Sequence, residues 1–494
     1  MTASAHRHEL YTVDQVRALD RRAIDDLGVP GYELMERAAA AALICLRQRW
    51  PNARRIAVYC GPGNNGGDGF LLAALAREAG LQTDVIALGD SRGDDAVRAR
   101  HEYEHSGGVV HLWRSGDALP VADVQVDALF GTGLQRALAP EVAELVRGIH
   151  AVGAPVLALD VPSGVNADSG DVPGEAIQAE LTVTFIAAKR GLYTGQAPGY
   201  TGQVRWESLG LPEALWHEAH PDAELLQAAT LPPRPRQSHK GNNGHVLAIG
   251  GEHGTAGAIR LCGEAALRAG AGLVSMATRA EHLVSLNSAR PELMAHDVNG
   301  PQALEALLPR ATVLAVGPGL GQGAWGHALW LTALDAELPL VLDADGLNLL
   351  AREPRKLGSS AVITPHPGEA ARLLGCDTAA IAADRFGAVR ELARRYHAVA
   401  VLKGAGSLVA DPDERVAVCP WGNPGMASGG MGDLLTGVIA ALLAQGCDAW
   451  QAACLGVSLH ARAGDLAAQQ GGERGLLASD LLEPIRWLLN GRES

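Results

Sequence analysis

Two stretches of this chain set a carboxylate inside a glycine-rich turn. The first is Gly61-Pro62-Gly63-Asn64-Asn65-Gly66-Gly67-Asp68-Gly69-Phe70, and the second is Gly425-Met426-Ala427-Ser428-Gly429-Gly430-Met431-Gly432-Asp433. Such turns let a ligand approach the backbone closely, and they leave N–H groups free at a helix start, which suits a phosphate. Gly61, Gly63 and Gly66 satisfy G-x-G-x-x-G, a weak pattern alone, and no Lys-Ser/Thr follows to make a Walker A loop. Asn64, Asn65 and Asp68 add amide and carboxylate oxygens, hard donors suited to a sugar hydroxyl or to an alkali or alkaline-earth cation. In the second turn, Asp433 is placed to take a proton from a hydroxyl while N–H groups hold a phosphoryl group in transfer.

Further loops fall at strand ends, where open α/β sheets bind ligands. In the first half these are Asp127-Ala128-Leu129-Phe130-Gly131-Thr132-Gly133-Leu134 and Asp160-Val161-Pro162-Ser163-Gly164. Asp127 and Asp160 are the candidates for moving protons, Asp68 serves to orient its loop, and Lys189 reads as a solvated lysine. In the second half, Gly317-Pro318-Gly319-Leu320-Gly321, Thr364-Pro365-His366-Pro367-Gly368-Glu369 and Lys403-Gly404-Ala405-Gly406-Ser407 each follow a strand. Asp343-Ala344-Asp345-Gly346 reads as a strand end running into a helix cap. His101 and His105 lack a third ligand, so with His6 and His8 they make no metal set.

The elements that carry these loops alternate. Tyr11–Arg49 reads as two helices, the first capped by Thr12. Arg55–Cys60 is a buried strand, a helix runs from about Gly69 to Ala79, and strands recur at Asp84–Leu88, Val109–Leu112, Val124–Leu129, Val156–Asp160 and Leu181–Ile186. A Pro- and Arg-rich break, Leu231–Ser238, ends this series. A second series has strands at His245–Ile249, Leu273–Ala277, Val313–Val316, Leu338–Leu342, Ala361–Ile363 and Ala398–Leu402. A hairpin of Ser407–Ala410 and Val416–Cys419 follows, then helices over Gly430–Gln445 and Trp450–Ala468. Both halves are α/β with mostly parallel sheets. The boundaries are 1–222, a linker at 223–238, and 239–494.

A net charge of −14 and only 4% aromatic residues exclude a nucleic-acid partner and an anionic membrane surface. No apolar run approaches a membrane span. The seven cysteines match neither a disulfide framework nor a zinc site, so they read as reduced thiols of a cytoplasmic protein. A homo-oligomer is expected.

The strings Leu27–Glu36 (LGVPGYELME), GPGNNGGDG, DALFGTGL and DVPSG together resemble the YjeF N-terminal family, the NAD(P)HX epimerases, over about residues 10–215. This resemblance implies a Rossmann-like three-layer sandwich. It implies that Asn64, Asn65, Gly66, Gly67 and Asp68 hold a hydrated nicotinamide dinucleotide, with Gly131, Thr132, Gly133, Leu134, Gln135, Arg136, Ala137 and Asp160. It also implies potassium at Asn65, Asp127 and Ser163. Residues 225–490 resemble the ADP-dependent NAD(P)H-hydrate dehydratases, which are ribokinase-like. That likeness rests on HKGNNGH, GPGLG, TPHPGE, LKGAGS and GGMGD, with Met431 where an alanine is usual. It implies adenine-nucleotide contacts at Lys403, Gly404, Ala405, Gly406, Ser407 and Gly432. It implies hydrated-dinucleotide contacts at Ala258, Gly319, Gly321, His366 and Asp433, with Asp433 catalytic and Mg²⁺ beside the phosphates. Jointly the halves point to a nicotinamide-nucleotide repair enzyme that epimerises R and S NAD(P)HX and dehydrates the S form with ADP, releasing AMP and phosphate. A small-molecule alcohol kinase and a non-catalytic binding module are the competing expectations.

Overall fold

The computed structural model describes residues 5–134 and 136–492. The chain divides into two compact units, Met1–Glu224 and Leu225–Ser494.

In the first unit, seven parallel strands stand side by side in the order Val110–Leu112, Gln82–Ala87, Arg55–Cys60, Val124–Ala128, Val156–Leu159, Leu181–Phe185 and Gln203–Glu207. Val58 pairs with Val85 on one side and Val126 on the other, which sets the register at the centre. Helices cover both faces. Ile56, Val58 and Cys60 join one apolar core with the helices Val13–Asp25, Gly31–Arg49 and Asn64–Glu78, while Ala57 and Tyr59 join the core under Pro140–Val152. Burial on both faces is why these strands read as continuous apolar runs. Thr12 caps the first helix, accepting from the N–H of Gln15 in a capping box. Glu9–Tyr11 pairs with Ala188–Lys189 and with Ala223–Leu225, so the expected linker opens in a strand rather than a loop.

One boundary moves by several residues. The helix expected from about Gly69 begins at Asn64, so Asn64 to Asp68 form its first turn and a half. Glycine propensity argues against a helix there, and packing overrides it. A Cβ on Gly67 would lie 2.6 Å from the Met35 sulfur, and one on Gly69 would lie 2.5 Å from the Ala128 side chain.

The second unit carries Met294–Asp297, Leu273–Thr278, His245–Ile249, Val313–Val316, Leu340–Leu342, Ala361–Ile363 and Val399–Leu402 in parallel, in that order. The hairpin Leu408–Ala410 and Val416–Val418 extends it antiparallel. The helices Ala256–Arg268 and Met431–Ala444 pack closely on this sheet, as a Cβ on Gly437 would meet the Cys262 carbonyl at 2.0 Å. Among the described residues, no helix is long and apolar enough to cross a membrane, and all seven cysteines are free.

Candidate active sites

In the first unit the strand order reverses between Arg55–Cys60 and Val124–Ala128, with later strands added beyond each. Chains leaving two such neighbours diverge and open a crevice at their carboxyl ends. The Gly61 turn and the Leu129 loop meet there. The N–H of Gly61 donates to the Ala128 carbonyl at 2.9 Å, and a Cβ on Gly61 would fall 1.7 Å from the Leu129 carbonyl oxygen. Gly61→Ala therefore cannot be accommodated without moving backbone. We expect a loss of about 1–3 kcal/mol or more, read as a lowered denaturation midpoint, with the cavity beside it disrupted.

That cavity encloses about 1000 Å³. Asn64, Asn65, Asp68, Gly131, Thr132, Gly133, Leu134, Arg136 and Asp160 line it. Gly66 and Gly67 do not; they are buried where the helix meets its neighbours. Ala137 lies outside the lining, against Gly174. Gln135 lies outside the described residues.

The two candidate bases separate. Asp160 lines the cavity; Asp127 does not. The Asp127 carboxylate is wholly buried and accepts from the Ser163 N–H (2.7 Å), the Ser163 hydroxyl (2.7 Å) and the Leu129 N–H (3.1 Å). Burial pushes its pKa up to about 6 against those hydrogen bonds. Asp160 has φ of +65°, a left-handed conformation that costs a non-glycine residue on the order of 1 kcal/mol and that recurs at functional sites.

Lys189, expected to be solvated, is only 1% exposed. Its ammonium pairs with Asp160 and donates to the Thr184 hydroxyl at 3.0 Å and the Phe185 carbonyl at 2.9 Å. Asp20, from the first helix, also lines the cavity, and nothing in its helical spacing singled it out. Burial raises the pKa of Asp20, with Lys189 opposing and Asp160 adding. Asp68 is pushed well above the ordinary carboxylate range by burial, then by Asp160 and Asp20, with Lys189 opposing.

Asn65 carries the cation question. Both polar atoms of its side-chain amide are buried and lack a hydrogen-bond partner. A buried amide oxygen left unmet costs about 1–3 kcal/mol, and a cation at Oδ1 would satisfy it. Asp127 and Ser163, hydrogen-bonded to each other at 2.7 Å, carry hard oxygens of the kind potassium prefers.

In the second unit, five strands end on site loops. Lys403, after Val399–Leu402, places its ammonium 2.7 Å from Asp343 Oδ1 and 3.8 Å from Glu369. Asp343 Oδ2 accepts from the Thr436 hydroxyl at 3.0 Å. Asp343 was expected to cap a helix, yet it makes no side-chain capping bond there. Lys403, 60 positions away, claims its carboxylate instead. Burial opposes ionisation of Asp343, and the Lys403 ammonium with the Lys403, Thr364 and Thr436 hydrogen bonds holds its pKa below the ordinary value. Burial disfavours the Lys403 charge in turn, and Asp343 and Glu369 hold its pKa up.

Gly432 abuts this centre, since a Cβ there would lie 3.2 Å from Lys403 Nζ and 3.3 Å from Asp343 Oδ2. Gly430, with φ of +90°, turns the chain into Met431–Ala444, leaving Gly432 and Asp433 in the first turn. Burial pushes Asp433 up to about 6, with Asp343 adding and Lys403 opposing. The Lys403–Ser407 loop closes on itself: the Gly404 N–H donates to the Ser407 hydroxyl at 3.2 Å. The buried Arg385, which spacing did not reveal, lies against Gly404. His366 caps Pro367–Leu374, its Nδ1 accepting from Gly368 (3.0 Å) and Glu369 (3.4 Å), which leaves its ring exposed on the other side. Gly319 is locked to Thr255, whose hydroxyl donates to its carbonyl at 2.8 Å, and the Gly321 N–H donates to Asp345 at 2.9 Å. Ala258 sits in the first turn of Ala256–Arg268, the helix packed against the Asp433 helix.

Family models match both halves. Residues 31–191 match the YjeF-related protein N-terminus, and residues 246–486 match NAD(P)H-hydrate dehydratase. The bifunctional NAD(P)H-hydrate repair enzyme Nnr of Coxiella burnetii is 46% identical over 97% of this chain and 99% of its own. The chain belongs to the bifunctional NAD(P)H-hydrate repair enzymes. The Escherichia coli member is 45% identical over 98% of this chain and 94% of its own. A solved structure of the ADP/ATP-dependent NAD(P)H-hydrate dehydratase of Bacillus subtilis, co-crystallised with ATP/Mg²⁺, aligns at 30% identity. It covers 53% of this repair enzyme and 94% of its own chain, with a TM-score of 0.49. The family thus spans both units; the Asp433 turn falls within the second matched segment, and most of the cavity lining, from Gly31 to Lys189, within the first.

Proposed function

We propose that the first unit interconverts the R and S epimers of NAD(P)HX, and that the second dehydrates the S form to NAD(P)H with ADP, releasing AMP and phosphate. The observation that carries this is the presence, in one repair-enzyme chain, of a carboxylate-lined cavity and a phosphoryl cradle ending in Asp433. An alcohol kinase would leave the cavity without a task. A binding module would not require a carboxylate pushed up to about 6 in the first turn of a helix.

In the second unit the substrate hydroxyl is a poor leaving group, and phosphorylation makes it a good one. Asp433 takes the hydroxyl proton while the N–H groups of Gly429–Gly432 hold the transferring phosphoryl charge. Lys403, Gly404, Ala405, Gly406, Ser407 and Gly432 hold the adenine nucleotide; Ala258, Gly319, Gly321 and His366 hold the dinucleotide. Mg²⁺ would enter with the nucleotide phosphates and neutralise their charge. Among the described residues no group of three His, Cys, Asp or Glu side chains forms a cage for it, which suits an ion bound mainly by phosphate. Because Asp433 must be ionised to act, the dehydration rate falls as pH drops through about 6, and a pH–rate profile at saturating ADP checks this.

In the first unit Asn64, Asn65, Asp68, Gly131 to Arg136 and Asp160 hold the dinucleotide, and Asp160 is the base. Potassium held by Asn65 Oδ1, Asp127 and Ser163 would tie the Gly61, Leu129 and Asp160 loops together. We expect Asn65→Ala to remove the dependence of epimerisation on potassium without changing dehydration; a titration with potassium against sodium reads it. The enzyme works in the cytoplasm as a homo-oligomer, which sedimentation of the purified chain tests.

A further inference from the structure

The cavity of the first unit holds two kinds of carboxyl group, distinguished by what donates to them. Asp160 receives the buried Lys189 ammonium, all three of whose protons are committed, to Asp160, Thr184 and Phe185. Lys189 therefore has no proton left for a substrate; its charge is directed at Asp160. Asp160 also accepts weakly from the Thr184 hydroxyl and the Phe185 N–H, both at 3.4 Å. Its Oδ2 lies toward the cavity wall, 3.2 Å from where a Cβ on Gly131 would stand. Asp68, on the first turns of Asn64–Glu78, faces the same cavity with no hydrogen-bond donor among the described residues. Asp20 faces it from the first helix, and Arg17, Arg92, Asp95 and Arg136 complete the charged lining. An ionised carboxylate without a donor beside two others is the costly form, and a protonated one is the cheap form.

Resting on the epimerase reading above, we propose that Asp68 and Asp160 divide the two proton transfers of a ring-opening epimerisation, with Lys189 as the positioning residue of Asp160. Carbon C6 of the hydrated nicotinamide carries a hydroxyl and is bonded to ring nitrogen N1, so it is a hemiaminal. Asp160 takes the hydroxyl proton, the C6–O bond becomes a carbonyl, and the C6–N1 bond breaks. Its electron pair goes to N1, which receives the proton of Asp68. Rotation about C5–C6 presents the other carbonyl face. Attack by N1 then re-forms the ring, N1 returns its proton to Asp68, and Asp160 returns its proton to the oxygen. Both groups end as they began, and nothing is oxidised or reduced. A cavity of about 1000 Å³ leaves the freed carbonyl arm room to turn.

The experiment is epimerisation of pure R epimer by the full chain in water enriched in heavy oxygen, with the product mass read after single turnovers. Ring opening retains the original oxygen at C6. Incorporation of one solvent oxygen per turnover shows loss and return of water and overturns the proposal, while leaving the epimerase reading standing. Absence of any epimerisation by the wild type defeats that reading instead. Asp68→Asn is expected to lower kcat by about 10²–10⁴-fold, while dehydration of the S epimer by the same chain continues and shows that it has folded. A kcat within a few fold of wild type overturns the proposal. Lys189→Met is expected to lower kcat of epimerisation by about tenfold or more with KM near wild type, because Asp160 has lost the ammonium that holds it, and Lys189→Arg, which keeps the charge, is expected to restore part of that rate. An unchanged kcat in Lys189→Met, or a rise in KM with no fall in kcat, overturns the positioning role.

Discussion

Replacing Asp433 with asparagine is expected to stop dehydration while leaving nucleotide binding and epimerisation in place. Asparagine keeps the shape of the first turn of Met431–Ala444 and the N–H groups aimed out of it, but it cannot take a proton. Loss of a positioned general base costs about 10²–10⁴-fold in rate. The cradle itself rests on Gly430, with φ of +90°, and on Gly432, pressed against Lys403 and Asp343, and neither is altered by the change. The affinity for ADP, measured by calorimetry, should stay within a few fold. A variant that dehydrates at near wild-type rate would show that the base lies elsewhere, with Glu369, pushed up to about 7 by burial, the next carboxylate of the same centre.

Lys403→Met should have the largest effect on stability. The Asp343 side chain is 2% exposed and that of Glu369 is 6% exposed, and Lys403 is the ammonium between them. Removing one partner of a buried pair strands the other charge and costs about 3–5 kcal/mol. The pH dependence follows from the directions of both shifts. Asp343 has a depressed pKa, so its contribution is present above the unfolded value near ~4 and is lost as pH falls through the lower folded value. Lys403 has a raised pKa, so its contribution is present below ~10 and is lost as pH rises through the higher folded value. The gap between wild type and variant should be widest between those limits and should narrow on acidification, when Asp343 can be protonated. Denaturant titrations across pH measure it.

What was legible in the sequence was whatever local spacing carries. The alternation of strands and helices gives both parallel sheets, and the glycine turns fall at strand ends as expected. The Asp433 turn is where its motif implies. The residues that escaped notice are those defined by partners far along the chain. Asp343 resembles any aspartate between a strand and a helix; only the fold brings Lys403 to it. Lys189 looks like a surface lysine because its carboxylate partner, Asp160, lies 29 positions away and only the fold brings the two together. Asp20 is one polar position of an amphipathic helix. The strand Gln203–Glu207 (QVRWE) lacks an apolar run because it sits at the sheet edge, half-buried and charge-rich. The glycines hide the helix start at Asn64, because glycine suggests a loop, whereas here the missing side chains admit Met35 and Ala128.

The most direct test gives the purified chain an equal mixture of R and S hydrated NADH with ADP, and follows the near-ultraviolet absorbance of the reduced nicotinamide. Recovery of the full amount is expected, with a fast phase from the S form, a second phase limited by epimerisation, and AMP and phosphate released in equal quantity. Recovery that stops at half would contradict an active first unit, and no recovery at all would contradict the repair function itself.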